Sequence, residues 1–157
     1  MMNEKDMKIL AALRSNSRET LTTMSKNTDI PISTIFDRVR KYQESIITKF
    51  TSIIDFQTLG YNARAQVMLK AHKSNREKMI EFLSHHPHVN SIYKINNGYD
   101  VMIDVIFRTI REMEDFMELI DEQYKLKARM TYFIIDEIKQ EEFLALAPDT
   151  IKPLADL

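Results

Sequence analysis

Apolar residues along this chain change their spacing at about residue 46. Before it, Ile9, Leu10 and Leu13 recur at the interval of a helix face. Asn3 and Asp6 ahead of them predict a capping box, in which the Asn side chain accepts a free first-turn amide and the acid three residues on reaches back. Asn16, Ser17 and Arg18 interrupt the stripe. Thr20 predicts the cap of a second helix running to about Asn27, and Asp29-Ile30-Pro31 predicts a tight turn. In the third helix Ile32, Ile35, Val39 and Tyr42 fall on one face. Pro31 suits its entry, because the amide that proline lacks has no partner in a first turn. Helix, tight turn, helix, behind a supporting first helix, is the plan of a helix-turn-helix over residues 1–45.

Residues 46–62 then form a connector rich in β-branched side chains, from Ile46-Ile47-Thr48 to Ile53-Ile54. It reads as a hinge strand, whose backbone needs pairing partners that a second copy of the chain could supply. From Ala63 the order is strand, helix, strand, strand, helix, strand. Ala65, Val67, Leu69 and Ala71 alternate with polar neighbours, and residues 75–84 carry Met79, Ile80 and Leu83 at helical spacing. Val89 to Ile95 and Val101 to Phe107 are strands joined by the turn sequence Asn96 to Asp100. Ile110, Met113, Met117, Ile120 and Tyr124 stripe the next helix, while Glu112, Glu114, Asp115, Glu118 and Asp121 face water. Arg129 to Ile138 closes the series. The predicted class is α+β: a helix-turn-helix, a hinge strand, a ferredoxin-like βαββαβ domain over residues 63–142 and a loosely ordered tail over 143–157 with two prolines. Met68, Met102, Ile106, Phe133 and Ile135 are assigned to the sheet face away from the helices. That much apolar surface predicts a homodimer packed sheet to sheet.

On a helical wheel centred on Ile35, Ser33, Asp37, Arg40 and Glu44 point away from the core, with Thr34 and Lys41 on one flank and Phe36 on the other. This is the surface a major groove would meet: Arg40 and Lys41 can donate to guanine edges or phosphates, and Ser33 and Thr34 bring hydroxyls to the backbone. Arg38 lies near the buried edge and reads instead as a structural partner of an acid in the first helix, with Asp6 the candidate.

Charge sharpens the division. Residues 1–49 carry a net charge of +3, residues 50–73 +2 and residues 74–157 −6, within an overall −1. A basic front half suggests an anionic partner for the front. The two glycines, Gly60 and Gly98, stand too far apart for a Walker-type loop or a dinucleotide fingerprint. Absence of Cys removes disulfides, thiolate zinc sites and cysteine nucleophiles, and fits a reducing compartment. The polar start is unlike a signal peptide and no run is long enough to span a membrane, so a cytoplasmic protein without a membrane partner is expected.

The ordered set of residues resembles the leucine-responsive and asparagine-regulator (Lrp/AsnC) family of transcription regulators from residue 3 to about residue 142. Asp6-x-x-Ile9-Leu10-x-x-Leu13-x-x-Asn16-x-Arg18 is similar to the family's first helix, and Ser33-Thr34-Ile35-x-x-Arg38-Val39-Arg40-Lys41 to its recognition helix. Ile54-Asp55-x-x-x-Leu59-Gly60-Tyr61 resembles its strand after the hinge. His86-Pro87-His88-Val89 ahead of Gly98-Tyr99-Asp100 resembles its effector-domain signature, and Thr131 to Lys139 its closing strand. The chain departs from the family in lacking the glycine before the hinge strand, in Asp29 where glycine is usual between the helices, and in Pro31 in place of a serine cap. The resemblance implies double-stranded DNA as partner, dimers that often assemble into octamers, and an amino-acid effector held in the ferredoxin-like domain. It places the effector loop at Asn96, Asn97, Gly98, Tyr99 and Asp100.

His85, His86 and His88 raise a metal site, but adjacent histidines on an extended or turning chain usually point apart; no metal and no cofactor are expected. No nucleophile stands beside a base and no acids pair in a cleft, so an enzyme is not expected. The leading expectation is a sequence-specific DNA-binding regulator sensing an amino acid. The alternative is an oligomeric metabolite-binding or architectural protein with nonspecific DNA binding.

Overall fold

The computed structural model describes residues 2–145. The element order is α1 (Glu4–Ser15), α2 (Leu21–Thr28), α3 (Ile32–Gln43), β1 (Ala63–Ala71), α4 (Arg76–His85), β2 (Val89–Lys94), β3 (Val101–Phe107), α5 (Ile110–Tyr124) and β4 (Leu126–Phe133), an α+β protein. These elements form two compact units, one of residues 2–52 with 138–145 and one of Ile53–Glu137. Of the tail expected over 143–157, residues 146–157 lie outside the described residues.

In the front unit the capping box forms in both directions: the Asp6 amide donates to Asn3 Oδ1 at 3.0 Å and the Asn3 amide to Asp6 Oδ2 at 2.7 Å. Thr20 Oγ1 caps α2 by accepting from the Thr23 amide at 3.1 Å. The three helices close on Ile9, Leu10, Met24, Ile30, Ile35 and Tyr42, with Leu13, Leu21, Val39 and Ile47 packed around them. Burying each large side chain contributes about 1.5–3 kcal/mol. Ile32, expected on the buried face, is instead exposed, because the first helical residue sits at the outer edge of the bundle. The Arg14 guanidinium holds the end of the described chain to α1, donating to the Phe143 carbonyl at 3.0 Å and the Glu141 carbonyl at 2.7 Å.

The expected hinge strand is absent: no residue from 46 to 62 is in a strand. The β-branched run stays irregular and is exposed at Ile53 and Ile54, and no strand among the described residues pairs with it. The chain then turns at once. Asp55 Oδ1 accepts from the Gln57 amide at 3.0 Å, the Phe56 carbonyl accepts from Tyr61 at 3.0 Å, and Gly60 takes a φ of 85° that a side chain would strain.

The back unit is a four-stranded antiparallel sheet in the order β2-β3-β1-β4. Ala63, Ala65, Val67, Leu69 and Ala71 on one face of β1 pack with Ile103, Val105, Met79, Leu83, Met113, Met117 and Ile120 in the core that α4 and α5 cover. Three expectations need correction. β4 begins at Leu126 rather than Arg129, because Lys125 takes a left-handed φ of 54° after α5 and returns the chain directly into the sheet, and it ends at Phe133 rather than Ile138, where its pairing reaches Ala65 near the start of β1. On α5, Phe116 is buried while Ile110, at the first helical position, is exposed. On β4 the register sets Phe133 opposite Ala65, so it does not share a face with Met68, and Ile135 lies beyond the strand, 91% exposed. No helix among the described residues is long and apolar enough to cross a membrane.

Candidate functional site

The outward surface of α3 is built by its surroundings. α2 ends at Asp29 with a φ of 56°, a left-handed conformation that aspartate tolerates better than most residues and in which glycine is the usual choice. The Ser25 hydroxyl donates to the Ile30 carbonyl at 2.6 Å across this turn, and Ile30 is buried beneath it. Pro31 caps α3 through its backbone alone, its carbonyl accepting from the Ile35 amide at 3.0 Å. The other amides of the first turn are therefore free to meet an acceptor from outside the helix.

A polar lock then sets how α3 lies on α1. Asp6 receives the Asn3 amide, the Tyr42 hydroxyl and the Arg38 guanidinium, and Arg38 also donates to Asn3 Oδ1 at 3.1 Å. The Asn3 amide first, and then the Tyr42 hydroxyl, hold the Asp6 carboxyl below its ordinary range. Burial, reinforced by the hydrogen bond to Asp6, pushes the Tyr42 phenol up to about 12. Arg38 is thus consumed inside the unit, as its place near the buried edge of the wheel suggested. The part played by the Tyr42 hydroxyl was not foreseen, since an apolar stripe gives no sign of where a phenol tip lands.

With Arg38 committed, Ser33, Phe36, Asp37, Arg40 and Lys41 remain exposed on the far side and Thr34 is half-buried. Neither Arg40 nor Lys41 forms an ion pair among the described residues. Their cationic heads are available to phosphate oxygens or guanine edges.

In the back unit the loop between β2 and β3 carries Asn96, Asn97 and Gly98 exposed, with φ of 63° at Asn97 and 94° at Gly98. Tyr99 is half-buried. Asp100 serves the scaffold: its carboxylate accepts from the Ala71 amide at 2.9 Å and pairs with Arg76 at 2.8 Å, while its own amide donates to the Leu69 carbonyl at 2.9 Å. The loop is therefore pinned at its C-terminal end and open at its tip.

The sheet face away from α4 and α5 is organised in transverse rows. Tyr93, Met102, Met68 and Met130 face one another across all four strands, and Ser91, Asp104, Gln66 and Tyr132 form the next row. Met68, Met102 and Ile106 thus share this face as expected, joined by Tyr93, Met130 and Tyr132 in place of Phe133 and Ile135. Asp104 is the buried acid of the unit. Arg64 donates to it through Nε at 3.1 Å and Nη2 at 2.9 Å, Asn90 donates at 2.9 Å, and Arg64 reaches on to Glu137. The acid in the apolar run Val101 to Phe107 was a visible signal of this cluster, but its partner lies forty positions away.

The histidines are used in packing. His88 stacks on Phe107 with centroids 4.2 Å apart and donates from Nδ1 to the Ile106 carbonyl at 2.7 Å. His86 lies 4.3 Å from the Phe116 ring, where burial first, and then the charge of His88, lowers its pKa below the ordinary imidazole value. His85 Nδ1 meets the Glu81 carbonyl.

Residues 62–144 match the Lrp/AsnC ligand binding domain, and residues 2–45 match a winged helix-turn-helix DNA-binding domain. The HTH-type transcriptional regulator FL11 of Pyrococcus horikoshii is 32% identical over 120 residues, 76% of this chain and 80% of its own length. FL11 of Pyrococcus furiosus is 26% identical over 121 residues, again 76% and 80%. A transcriptional regulator of Neisseria meningitidis, solved as a complex with L-Met, has the same fold, with a TM-score of 0.81 at 19% identity covering 89% of this chain and 94% of that one. AsnC of E. coli superposes with a TM-score of 0.77 at 21% identity, covering 89% and 96%. The chain belongs to the Lrp/AsnC family of transcriptional regulators, with a helix-turn-helix DNA-binding region followed by a small-molecule ligand-binding domain.

Proposed function

We propose that the protein regulates transcription in the cytoplasm by sequence-specific DNA binding through Ser33, Thr34, Phe36, Asp37, Arg40 and Lys41, in a dimer whose back domain senses an amino acid. The observation that carries this is the sorting of cations on α3: Arg38 is locked to Asp6, while Arg40 and Lys41 are outward and form no ion pair among the described residues. Binding-site selection followed by an electrophoretic shift tests it. The Arg40→Ala, Lys41→Ala variant is expected to lose specific binding; a shift unchanged by the double substitution would overturn the assignment. Steep salt dependence with no preferred site would favour architectural binding instead.

The effector reading places the ligand at the open tip Asn96, Asn97 and Gly98 with Tyr99, while Asp100 anchors the loop. Support comes from the family match across this loop and from the L-Met complex of the Neisseria relative. Calorimetry with a panel of amino acids should find one that binds and that Asn97→Ala weakens; no heat with any of them would remove the sensing role.

The dimer is proposed to form over the row Tyr93, Met102, Met68 and Met130, too apolar a band to leave in water, with the hinge of one copy supplied with partners by the other. Light scattering is expected to give at least twice the chain mass, with octamers within reach of the same family, and Met68→Lys is expected to shift the mass toward the monomer.

A further inference from the structure

The outward face of α3 is not uniformly polar. Ile32 and Phe36, one helical turn apart, are 45% and 54% exposed, whereas Ile35 between them is fully buried. Neither belongs to the front core. Two large apolar side chains left side by side in water are costly to a free helix, and such pairs mark contact surfaces. Beside them stand Ser33, Asp37 and Arg40, with Lys41 on the opposite flank, all exposed. An apolar pair beside cationic heads calls for a partner that is anionic at its margins and carries small apolar groups inside a groove. Duplex DNA has this arrangement, with phosphates along the rim and the thymine C5-methyl as the apolar feature of the major-groove base edges. A second copy of the same helix face would complement the apolar pair but would set cation against cation.

Resting on the DNA-binding reading of α3, we infer that Ile32 and Phe36 determine specificity by contacting thymine C5-methyl groups in the major groove. Ile32 lies in the first turn, where a recognition helix meets base edges. A step of four residues advances about 6 Å along a helix, against about 3.4 Å per base pair. The preferred half-site therefore carries thymines at two major-groove positions one or two base pairs apart. Arg40 and Lys41 supply affinity and further readout beside them.

The test uses the full chain. Preferred duplexes are selected from a randomised pool, and each thymine of the selected site is then replaced singly by deoxyuridine, which deletes the C5-methyl and nothing else. Affinity is expected to fall about fourfold at each of two positions, the size of one buried methyl group. The loss at one position should vanish in Phe36→Ala and the loss at the other in Ile32→Ala. The ratio between thymine and uracil duplexes should persist in Arg40→Ala measured at lower salt. Both apolar side chains are exposed, so circular dichroism should show the variants folded. Tolerance of deoxyuridine at every position overturns the inference, as does a loss that survives both apolar substitutions. A fall in assembly mass on Phe36→Ala also overturns it, by making the pair a contact between copies. A chain that selects no duplex overturns the inference together with the DNA-binding reading. One that selects duplexes but ignores the methyl groups overturns the inference alone.

Discussion

The front unit has a small apolar core and fastens its working helix with charge, through Asp6, Arg38 and Tyr42. In the back unit the core extends over two helices and four paired strands, and the buried acid, Asp104, lies on the sheet face the helices leave open. The contrast teaches that the two jobs need different precision. A helix read by a groove must hold its angle and rotation, which directional hydrogen bonds fix better than non-directional apolar contact. A sheet that carries a loop at one end and a broad surface on one face needs chiefly a rigid platform, which close packing and continuous strand pairing supply.

Substitutions can break this contrast. Ile103→Ala, a fully buried position of β3, should have the largest effect, destabilising the back unit by about 2–5 kcal/mol through lost burial and a residual cavity. Hydrogen exchange at β1 and β3 amides would measure it, and a loss under 1 kcal/mol would show the sheet core to be loose. Asp104→Ala should follow at about 2–4 kcal/mol, because it leaves the half-buried Arg64 guanidinium without its main partner. Replacing both partners, Arg64→Met with Asp104→Leu, should be milder than the single change. A double variant worse than the single would show that the pair itself contributes net stability.

Tyr42→Phe should cost the front unit about 1–2 kcal/mol by removing the hydroxyl that Asp6 accepts. Arg38→Ala should weaken specific duplex binding while leaving the slope of log affinity against log salt unchanged, because Arg38 orients α3 and meets no phosphate. A slope reduced by about one charge would place Arg38 on the DNA instead. The smallest expected effect belongs to His86. Its folded pKa lies below the ordinary value of 6.5, so the native state binds fewer protons than the unfolded chain as pH falls beneath that value. The stability that neutral His86 supports is complete above pH 6.5 and declines below it. His86→Phe, which keeps a ring against Phe116, should flatten that decline in urea unfolding, and an NMR titration of His86 should show the lowered midpoint.

Local signals proved readable from single residues. Asn3 and Asp6 announced α1, Thr20 announced α2, and the bounds of β1 and β3 followed from strict alternation at Ala63 to Ala71 and the apolar run at Val101 to Phe107. At the candidate interface the outward positions Ser33, Phe36, Asp37, Arg40 and Lys41 were legible too, because a wheel needs only the helix period. Helix starts were less so: Ile32 and Ile110 fit their stripes yet sit exposed, since a first turn overhangs the layer it should bury against.

What the sequence alone determined is therefore whatever depends on neighbours within a few residues: caps, turns, helical faces, the order of elements and the charge contrast of the two halves. Tertiary structure decided whatever depends on a distant partner. The face that Phe133 takes follows from its pairing with Ala65, and a one-residue change in strand register reverses every side chain. Whether residues 46–62 make a strand depends on a second backbone, and the junction of Arg64 with Asp104 depends on β1 lying beside β3. Such pairings couple positions tens of residues apart, and no local periodicity records them.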